Sequence, residues 1–279
     1  MKVAVTGASG FIGRHVLADL AARPVEIVAA TRDATKLEAW RDRAEIVEMD
    51  IAHALPEQLA SLVGADVLIH MAWEGLPNYK SRRHFEVELP KQYEFLKNLI
   101  ERGLAALLVT GTCAEYGMQS GALSEDLPAL PVNSYGFAKD SLRRQMAFLG
   151  DDYSFAITWA RLFYMYGDGQ PASSLYPQAM AAISRGAAGF DMSGGEQLRD
   201  YLLVTEVARL IVELALRRAD AGVVNVCAGH PVSVRRLVES WVTNRGSNIQ
   251  LNLGRYPYPD YEPLAFWGAR GKLDSLLEK

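Results

Sequence analysis

The sequence predicts an α/β fold, a doubly wound parallel sheet with a smaller C-terminal lobe. Three observations predict it. Short β-branched apolar runs at 3–5, 26–30, 45–48, 67–70, 106–110 and 155–160 alternate with longer amphipathic stretches. A glycine-rich turn follows the first run directly. The alternation then loosens beyond Tyr166-Gly167-Asp168-Gly169-Gln170-Pro171. Strands buried on both faces read as near-continuous apolar runs, and a strand-helix-strand rhythm feeds parallel neighbours through right-handed crossovers.

Later helices are expected at 175–184, 204–218 and 234–243, separated by loops bearing Gly and Pro. The expected division is a first domain over 1–165 and a lobe over 166–279, interleaved as one structural unit. In Tyr256-Pro257-Tyr258-Pro259-Asp260-Tyr261 the prolines forbid regular helix, and the aromatics are read as packing residues, with stacking on a ligand as the alternative. With 279 residues, 49% of them hydrophobic, the chain can bury one large core. A net charge of -4 with scattered basic residues argues against a polyanion partner such as nucleic acid. The two cysteines, Cys113 and Cys227, make neither a disulfide framework nor a metal knuckle. Met1 runs into Lys2-Val3-Ala4-Val5, a strand opening rather than a signal peptide, and no apolar run reaches the roughly 18 residues of a membrane span. A cytoplasmic protein is expected. The histidines show no metal-ligand spacing, and no nucleophile elbow is present.

Gly7-Ala8-Ser9-Gly10-Phe11-Ile12-Gly13 leads from the first strand into an amphipathic helix continued by Val16, Leu17 and Leu20. A turn free of side chains lets backbone N–H groups approach a pyrophosphate, and the helix N-terminus adds about half a positive charge there. The spacing is G-x-x-G-x-x-G, and here the chain resembles the extended short-chain dehydrogenase/reductase family, over nearly its whole length. The resemblance implies a Rossmann-type sheet with Gly7, Ser9, Gly10, Phe11, Ile12 and Gly13 at the dinucleotide. In that family an acidic residue at the end of the second strand favours NAD and a basic one NADP. Here Ala30-Thr31-Arg32-Asp33 puts Thr31 in the acid's place. Arg32 can grip a 2′-phosphate, so NADP(H) is preferred, while Asp33 keeps NAD(H) open. The resemblance also implies an adenine contact at Asp50 and Ile51, and a loop over the cofactor at Met71, Ala72 and Trp73. Trp73 and Glu74 then begin the substrate cleft.

Tyr135-Gly136-Phe137-Ala138-Lys139 places a phenol and an ammonium on one helical face, four residues apart. A free phenol titrates near 10, so a cation beside it is needed for proton transfer at neutral pH. The spacing alone does not decide, because Tyr93-Glu94-Phe95-Leu96-Lys97 repeats it. Thr112 decides: it stands at the end of the fifth strand, and active sites of open α/β sheets lie beyond the strands' carboxyl ends. By the resemblance a Ser or Thr stands four residues before a Tyr-Gly pair, as Thr112 stands before Tyr116-Gly117. Thr112, Tyr135 and Lys139 are the expected catalytic residues; the resemblance implies that Thr110, Tyr135 and Lys139 also contact the cofactor, Lys139 at the nicotinamide ribose, and that Thr112 contacts the substrate. Tyr93 is assigned to packing and Lys97 to solvent. Many relatives carry an Asn in the preceding helix; in His84-Phe85-Glu86-Val87-Glu88-Leu89 its place is taken by Glu88, and a proton relay through that Asn is in question.

Relatives that dehydrate sugar nucleotides follow the catalytic Thr with Asp-Glu. Cys113-Ala114 cannot do that chemistry, which leaves carbonyl reduction or epimerisation. The resemblance implies that Phe163, in Arg161-Leu162-Phe163-Tyr164-Met165-Tyr166-Gly167, flanks the nicotinamide, with Arg161 structural. It implies substrate contacts at Cys113 and Tyr164. It assigns Arg199, in Arg199-Asp200-Tyr201, to the diphosphate of a nucleotide sugar, against a surface ion pair as the bland alternative. Met71-Ala72-Trp73-Glu74-Gly75-Leu76-Pro77-Asn78-Tyr79, Thr110–Gly117 and Phe266-Trp267-Gly268 resemble reductases of dTDP-4-keto-6-deoxyhexoses. The function so implied is NAD(P)H-dependent reduction of the 4-keto group of a dTDP-linked 6-deoxysugar. A nucleotide-sugar 4-epimerase is the alternative, and a dinucleotide-binding sensor without turnover the second. Relatives also pair two helices per subunit, so a homodimer is expected; no metal is.

Overall fold

The computed structural model describes residues 1–278, so the last residue of the lobe expected over 166–279 lies outside the described residues. Seven parallel strands form the central sheet: β1 (Lys2–Thr6), β2 (Glu26–Thr31), β3 (Glu45–Glu48), β4 (Val67–His70), β5 (Ala106–Thr112), β6 (Ala156–Leu162) and β7 (Gly222–Val226). Their order is β7-β6-β5-β4-β1-β2-β3. The chain winds outward from β1 to β3, then returns to start the other half at β4. The crevice between the ends of β1 and β4 is therefore the topological switch point, where ligands bind in such sheets.

Period-two alternation distributes the apolar side chains to two cores. Val3 and Val5 of β1 face α1 (Phe11–Ala21), α6 (Val204–Arg217) and α8 (Gly271–Leu277). Ala4 faces the opposite layer of α2 (Pro56–Val63), α3 (Leu89–Glu101) and α4 (Ser134–Asp152), whose core includes Leu62, Phe95, Leu99, Leu142 and Met146. One turn of π-helix, His84–Glu88, leads into α3. Among the described residues no helix is long and apolar enough to cross a membrane.

The six expected strands form within two residues of their expected ends, and β7 is added. It comes from the half of the chain read as the lobe, and α6 and α8 return to the sheet with it. Its run Gly222-Val-Val-Asn-Val is short and interrupted by Asn225, which conceals it as an apolar strand. The buried Asn225 amide is satisfied by tertiary partners: it accepts from the Tyr116 hydroxyl (2.8 Å) and donates to the Leu123 carbonyl (2.8 Å). What remains as a lobe is α5 (Leu175–Ser184), α7 (Val234–Asn244) and the ribbon pairing Gly189–Asp191 with Gln250–Asn252, around Phe190, Met192 and Trp241.

The carboxyl ends of β5 and β6 are joined by a buried ion pair. Arg161 Nε donates to Glu115 (2.7 Å), and both residues are at most 2% exposed. Glu115 also accepts from Trp159 Nε1 (3.0 Å) and from the Thr112 amide (2.9 Å). Removing one partner of such a pair strands a buried charge. Arg161→Leu is expected to lower the unfolding free energy by about 3–5 kcal/mol, read by urea denaturation; a loss under about 1 kcal/mol would show that Trp159 and the amide satisfy Glu115 by themselves.

Candidate active site

Gly7 holds a left-handed φ of +71°, and a Cβ there would come within 2.9 Å of the Ala72 nitrogen and the Met71 carbonyl carbon. The glycine loop and the loop after β4 therefore touch backbone to backbone. A Cβ on Gly13 would collide with the Gly7 carbonyl oxygen, so α1 packs against its own entry turn. Gly10 caps α1 without a side chain, and no acidic residue stands in the first turn. The positive end of this helix carries no acidic residue of its own and fits a pyrophosphate. The Ser9 hydroxyl is taken by Thr31 (2.9 Å), which fixes the loop to the end of β2.

From this cradle a cleft of about 440 Å³ runs along the sheet ends. Gly7, Gly10, Phe11, Ile12, Gly13 and Met71 line the cradle end, Trp73 stands against Tyr135, and Thr112, Cys113, Phe163 and Tyr164 continue the wall. Asn133 caps α4 by accepting from the Gly136 amide (2.9 Å), which sets Tyr135 and Lys139 on the first turns facing β5. Tyr93 and Lys97 lie apart on α3, where Tyr93 packs against the core and Lys97 reaches Glu101 (3.8 Å).

Tyr135 is ringed by aromatic groups: His84 at 5.3 Å, Tyr79 at 5.7 Å and Trp73 at 5.9 Å between centroids. Desolvation raises its pKa above the ordinary tyrosine value, helped by Tyr79, Glu115 and Cys113, while the Thr112 hydroxyl pulls the other way. Lys139 is buried behind it, donating to the Thr110 carbonyl (2.9 Å) and lying 4.0 Å from the centre of the Trp73 ring. Desolvation brings the Lys139 pKa down from 10.5 to about 7, against the pull of Glu115 and Glu88. Behind Thr110, buried His70 bridges Thr6 (2.8 Å) and Gln92 (2.7 Å), and burial pushes its pKa to about 3, so it is neutral. The His84 tautomer is set by its partners: Nδ1 accepts from Trp73 Nε1 (3.1 Å), and Nε2 donates to the Asn78 carbonyl (2.9 Å).

Several expected residues sit elsewhere. Glu74 is not in the cleft. Side chains alternate along this loop, so Trp73 enters the cleft and Glu74 turns outward, where it binds Arg32, Arg83 (3.0 Å) and Lys91 (3.4 Å). Arg199 is 3% exposed and does not line the cleft. It donates to the carbonyls of Leu198 (2.9 Å) and Leu264 (3.0 Å) and to Glu262 (3.1 Å), so its guanidinium is committed inside the protein in this state. Its neighbour Asp200 ties down the Ala228 (2.6 Å) and Gly229 (2.9 Å) amides. Asp50 caps a turn by accepting from Ala52 N (2.9 Å), and Ile51 lines a second cavity with Pro90 and Lys91. Asp33 caps the short helix Ala34–Trp40, accepting from Thr35 N (3.1 Å). The Cys113 thiol lines the cleft, and burial pushes its pKa up, which makes it inert as a nucleophile.

Sequence reasoning missed Tyr79, His84, Tyr261 and Glu262. Tyr79 is brought in by its carbonyl, which accepts from the Tyr135 amide (3.0 Å). Tyr261 and Glu262 arrive from the proline-bearing segment to line the cleft, whereas Tyr256 and Tyr258 stay exposed. That segment's aromatics were the available signal, with nothing local to say which of them turned inward. Among the described residues no three His, Cys, Asp or Glu side chains gather to hold a metal ion.

The depressed Lys139 pKa sets a sign for stability. Between about 7 and 10.5 the unfolded chain holds the lysine proton and the folded chain has released it, so Lys139 makes the protein more stable as pH rises through that window. Denaturant titrations at several pH values should show this slope in the natural protein and lose it in Lys139→Met; an unchanged slope in the variant would contradict the burial argument.

The model of the NAD dependent epimerase/dehydratase family matches residues 3–227. The chain is 29% identical over 272 residues to dTDP-6-deoxy-L-talose 4-dehydrogenase (NAD(+)) of Aggregatibacter actinomycetemcomitans, covering 97% of this chain and 100% of that protein. It is 27% identical over 270 residues to dTDP-6-deoxy-L-talose 4-dehydrogenase (NAD(P)(+)) of Kitasatospora kifunensis, covering 93% and 83%. The solved UDP-N-acetylglucosamine 4-epimerase from Methanobrevibacter ruminantium M1, in complex with UDP-N-acetylmuramic acid, matches the fold with a TM-score of 0.83 at 22% identity, covering 99% of this chain and 91% of that one. With the family model spanning the whole sheet, the glycine cradle and the Thr112, Tyr135 and Lys139 cluster, the chain belongs to the NAD dependent epimerase/dehydratase family.

Proposed function

We propose that this protein reduces the 4-keto group of a nucleotide-linked 6-deoxyhexose, with a dTDP-linked sugar as substrate and NAD(P)H as reductant. The observation that carries the reading is the convergence of Thr112 and Tyr135 on one wall of the cleft, with Lys139 behind and the glycine cradle at the other end. Two relatives named as 4-dehydrogenases of a dTDP-6-deoxysugar support it, because oxidation of a 4-hydroxyl and reduction of a 4-ketone are one hydride transfer run in opposite directions. The nicotinamide, when bound, supplies the hydride to the ketone carbon. Thr112 hydrogen-bonds the ketone oxygen and polarises it. Tyr135 donates its phenolic proton to that oxygen as charge develops there, and the Lys139 ammonium stabilises the phenolate left behind. The aromatic ring around Tyr135 excludes water, which strengthens each of these interactions. Cys113 and Ala114 line the same wall and supply no acid-base pair for eliminating water.

NADPH is the favoured reductant in this proposal because Arg32, just past the end of β2, keeps its side chain 63% exposed and can turn from Glu74 to a 2′-phosphate, and the nearby Asp33 carboxylate is occupied as a helix cap. Phe137 and Phe148 on α4, 50% and 73% exposed, support the family-implied homodimer through paired outer helices.

Tyr135→Phe should lower kcat by roughly 10²–10⁴ while leaving the Kd for cofactor unchanged, and Tyr93→Phe should do neither. The assay is NADPH consumption with a panel of 4-keto-6-deoxy nucleotide sugars. Interconversion of C4 epimers without net NADPH consumption would replace the reading by epimerisation. Tight NADPH binding with no turnover on any sugar would replace it by a cofactor sensor.

A further inference from the structure

Beside the glycine cradle, outside the cleft wall, the carboxylate that meets Arg32 comes from neither β2 nor its following turn. Glu74, on the loop after β4, reaches across the end of β1 and accepts a hydrogen bond from Arg32 Nη1. Its position is fixed. The Glu74 amide donates to buried Glu88 (3.4 Å), its other oxygen accepts from Arg83 (3.0 Å), and Lys91 lies 3.4 Å away. Two residues earlier, the loop packs backbone to backbone on Gly7. Three cations, Arg32, Arg83 and Lys91, face two carboxylates, Glu74 and Glu88, so one positive charge is left over. Desolvation opposes ionisation of Glu74, yet Lys91 and Arg32 hold its carboxyl below the ordinary pKa, so it is charged at neutral pH.

Arg32 is the one member of this cluster that stands mostly in solvent, at 63% side-chain exposure against 28% for Glu74 and 11% for Lys91. It can leave Glu74 without stranding that carboxylate, which keeps Arg83 and Lys91. A dinucleotide carrying a 2′-phosphate must draw Arg32 away and then sit near the Glu74 charge. One lacking that phosphate leaves the pair intact. We propose that Glu74 is the specificity-determining residue of the cofactor site, moderating the pull of Arg32 so that the protein takes both NADPH and NADH. The proposal rests on the dinucleotide reading of the glycine cradle.

The test is equilibrium binding of NADPH and of NADH to the full chain, by nicotinamide fluorescence at low ionic strength, without substrate. Glu74→Gln keeps the size and hydrogen-bonding shape of the side chain. It should tighten NADPH about fivefold with NADH nearly unchanged, the scale of one partly exposed ion pair. Arg32→Ala should weaken NADPH about tenfold, and in that background Glu74→Gln should no longer matter. Added salt should shrink the effect of Glu74→Gln. A ratio of the two Kd values unmoved by Glu74→Gln, or moved equally with and without Arg32, overturns the proposal while leaving the dinucleotide reading in place. Failure of the natural protein to bind either cofactor overturns both.

Discussion

The Glu115 carboxylate has no access to water, and each of its hydrogen bonds fixes something the cleft requires. Through the Thr112 amide it closes the turn at the end of β5, and through Arg161 and Trp159 it binds that turn to β6. Gly111 is needed because any Cβ there would strike Trp159 and Glu115. An apolar replacement of similar size could pack as well, since buried pairs seldom stabilise more than good hydrophobic contacts do. What the pair adds is placement. It sets Thr112 at one distance from α4 and spreads a negative potential toward Lys139 and Tyr135.

That placement puts two groups of opposite acid-base character in the same dry environment. Burial drives the phenol of Tyr135 toward staying protonated and drives the amine of Lys139 toward losing its proton. Glu115 and Glu88 act on Lys139 in the other direction, keeping its ammonium within reach of neutral pH. Glu88 stands in the π-turn before α3. It is fully buried and held by Lys91 (2.8 Å) and Gln92 (3.3 Å). Glu88 thus brings a carboxylate into electrostatic contact with Lys139.

Residues from beyond β6 complete the wall of the cleft. Arg199 stacks near Phe266 and Tyr164 and pairs with Glu262, brought in by the proline-bearing segment. Of this pair Glu262 lines the cleft, while Arg199 stays buried behind it. Tyr79, Tyr164 and Tyr261 line the walls around it. The end at Gly7–Gly13 is organised instead by backbone: glycine turns, a helix N-terminus without an acidic residue and the loop after β4.

The sequence by itself determined the sheet, because strands buried on both faces must be apolar throughout and the crossovers need amphipathic helices between them. It also determined the glycine cradle, since backbone contact at Gly7 and Gly13 excludes every side chain. Thr112 was legible at a strand's end, and with it the placing of Tyr135 at the cleft and of Tyr93, whose local pattern is the same, away from it. Tertiary structure alone decided which strand came from the distant half, because β7 satisfies its polar Asn225 through Tyr116, more than a hundred residues away. It alone turned Glu74 from the substrate cleft to Arg32, and Arg199 from an expected diphosphate to Glu262. Charged side chains are long and take whichever partner the fold brings near, and that partner lies 42 residues away for Arg32 and 63 for Arg199. Local periodicity carries no record of such distances.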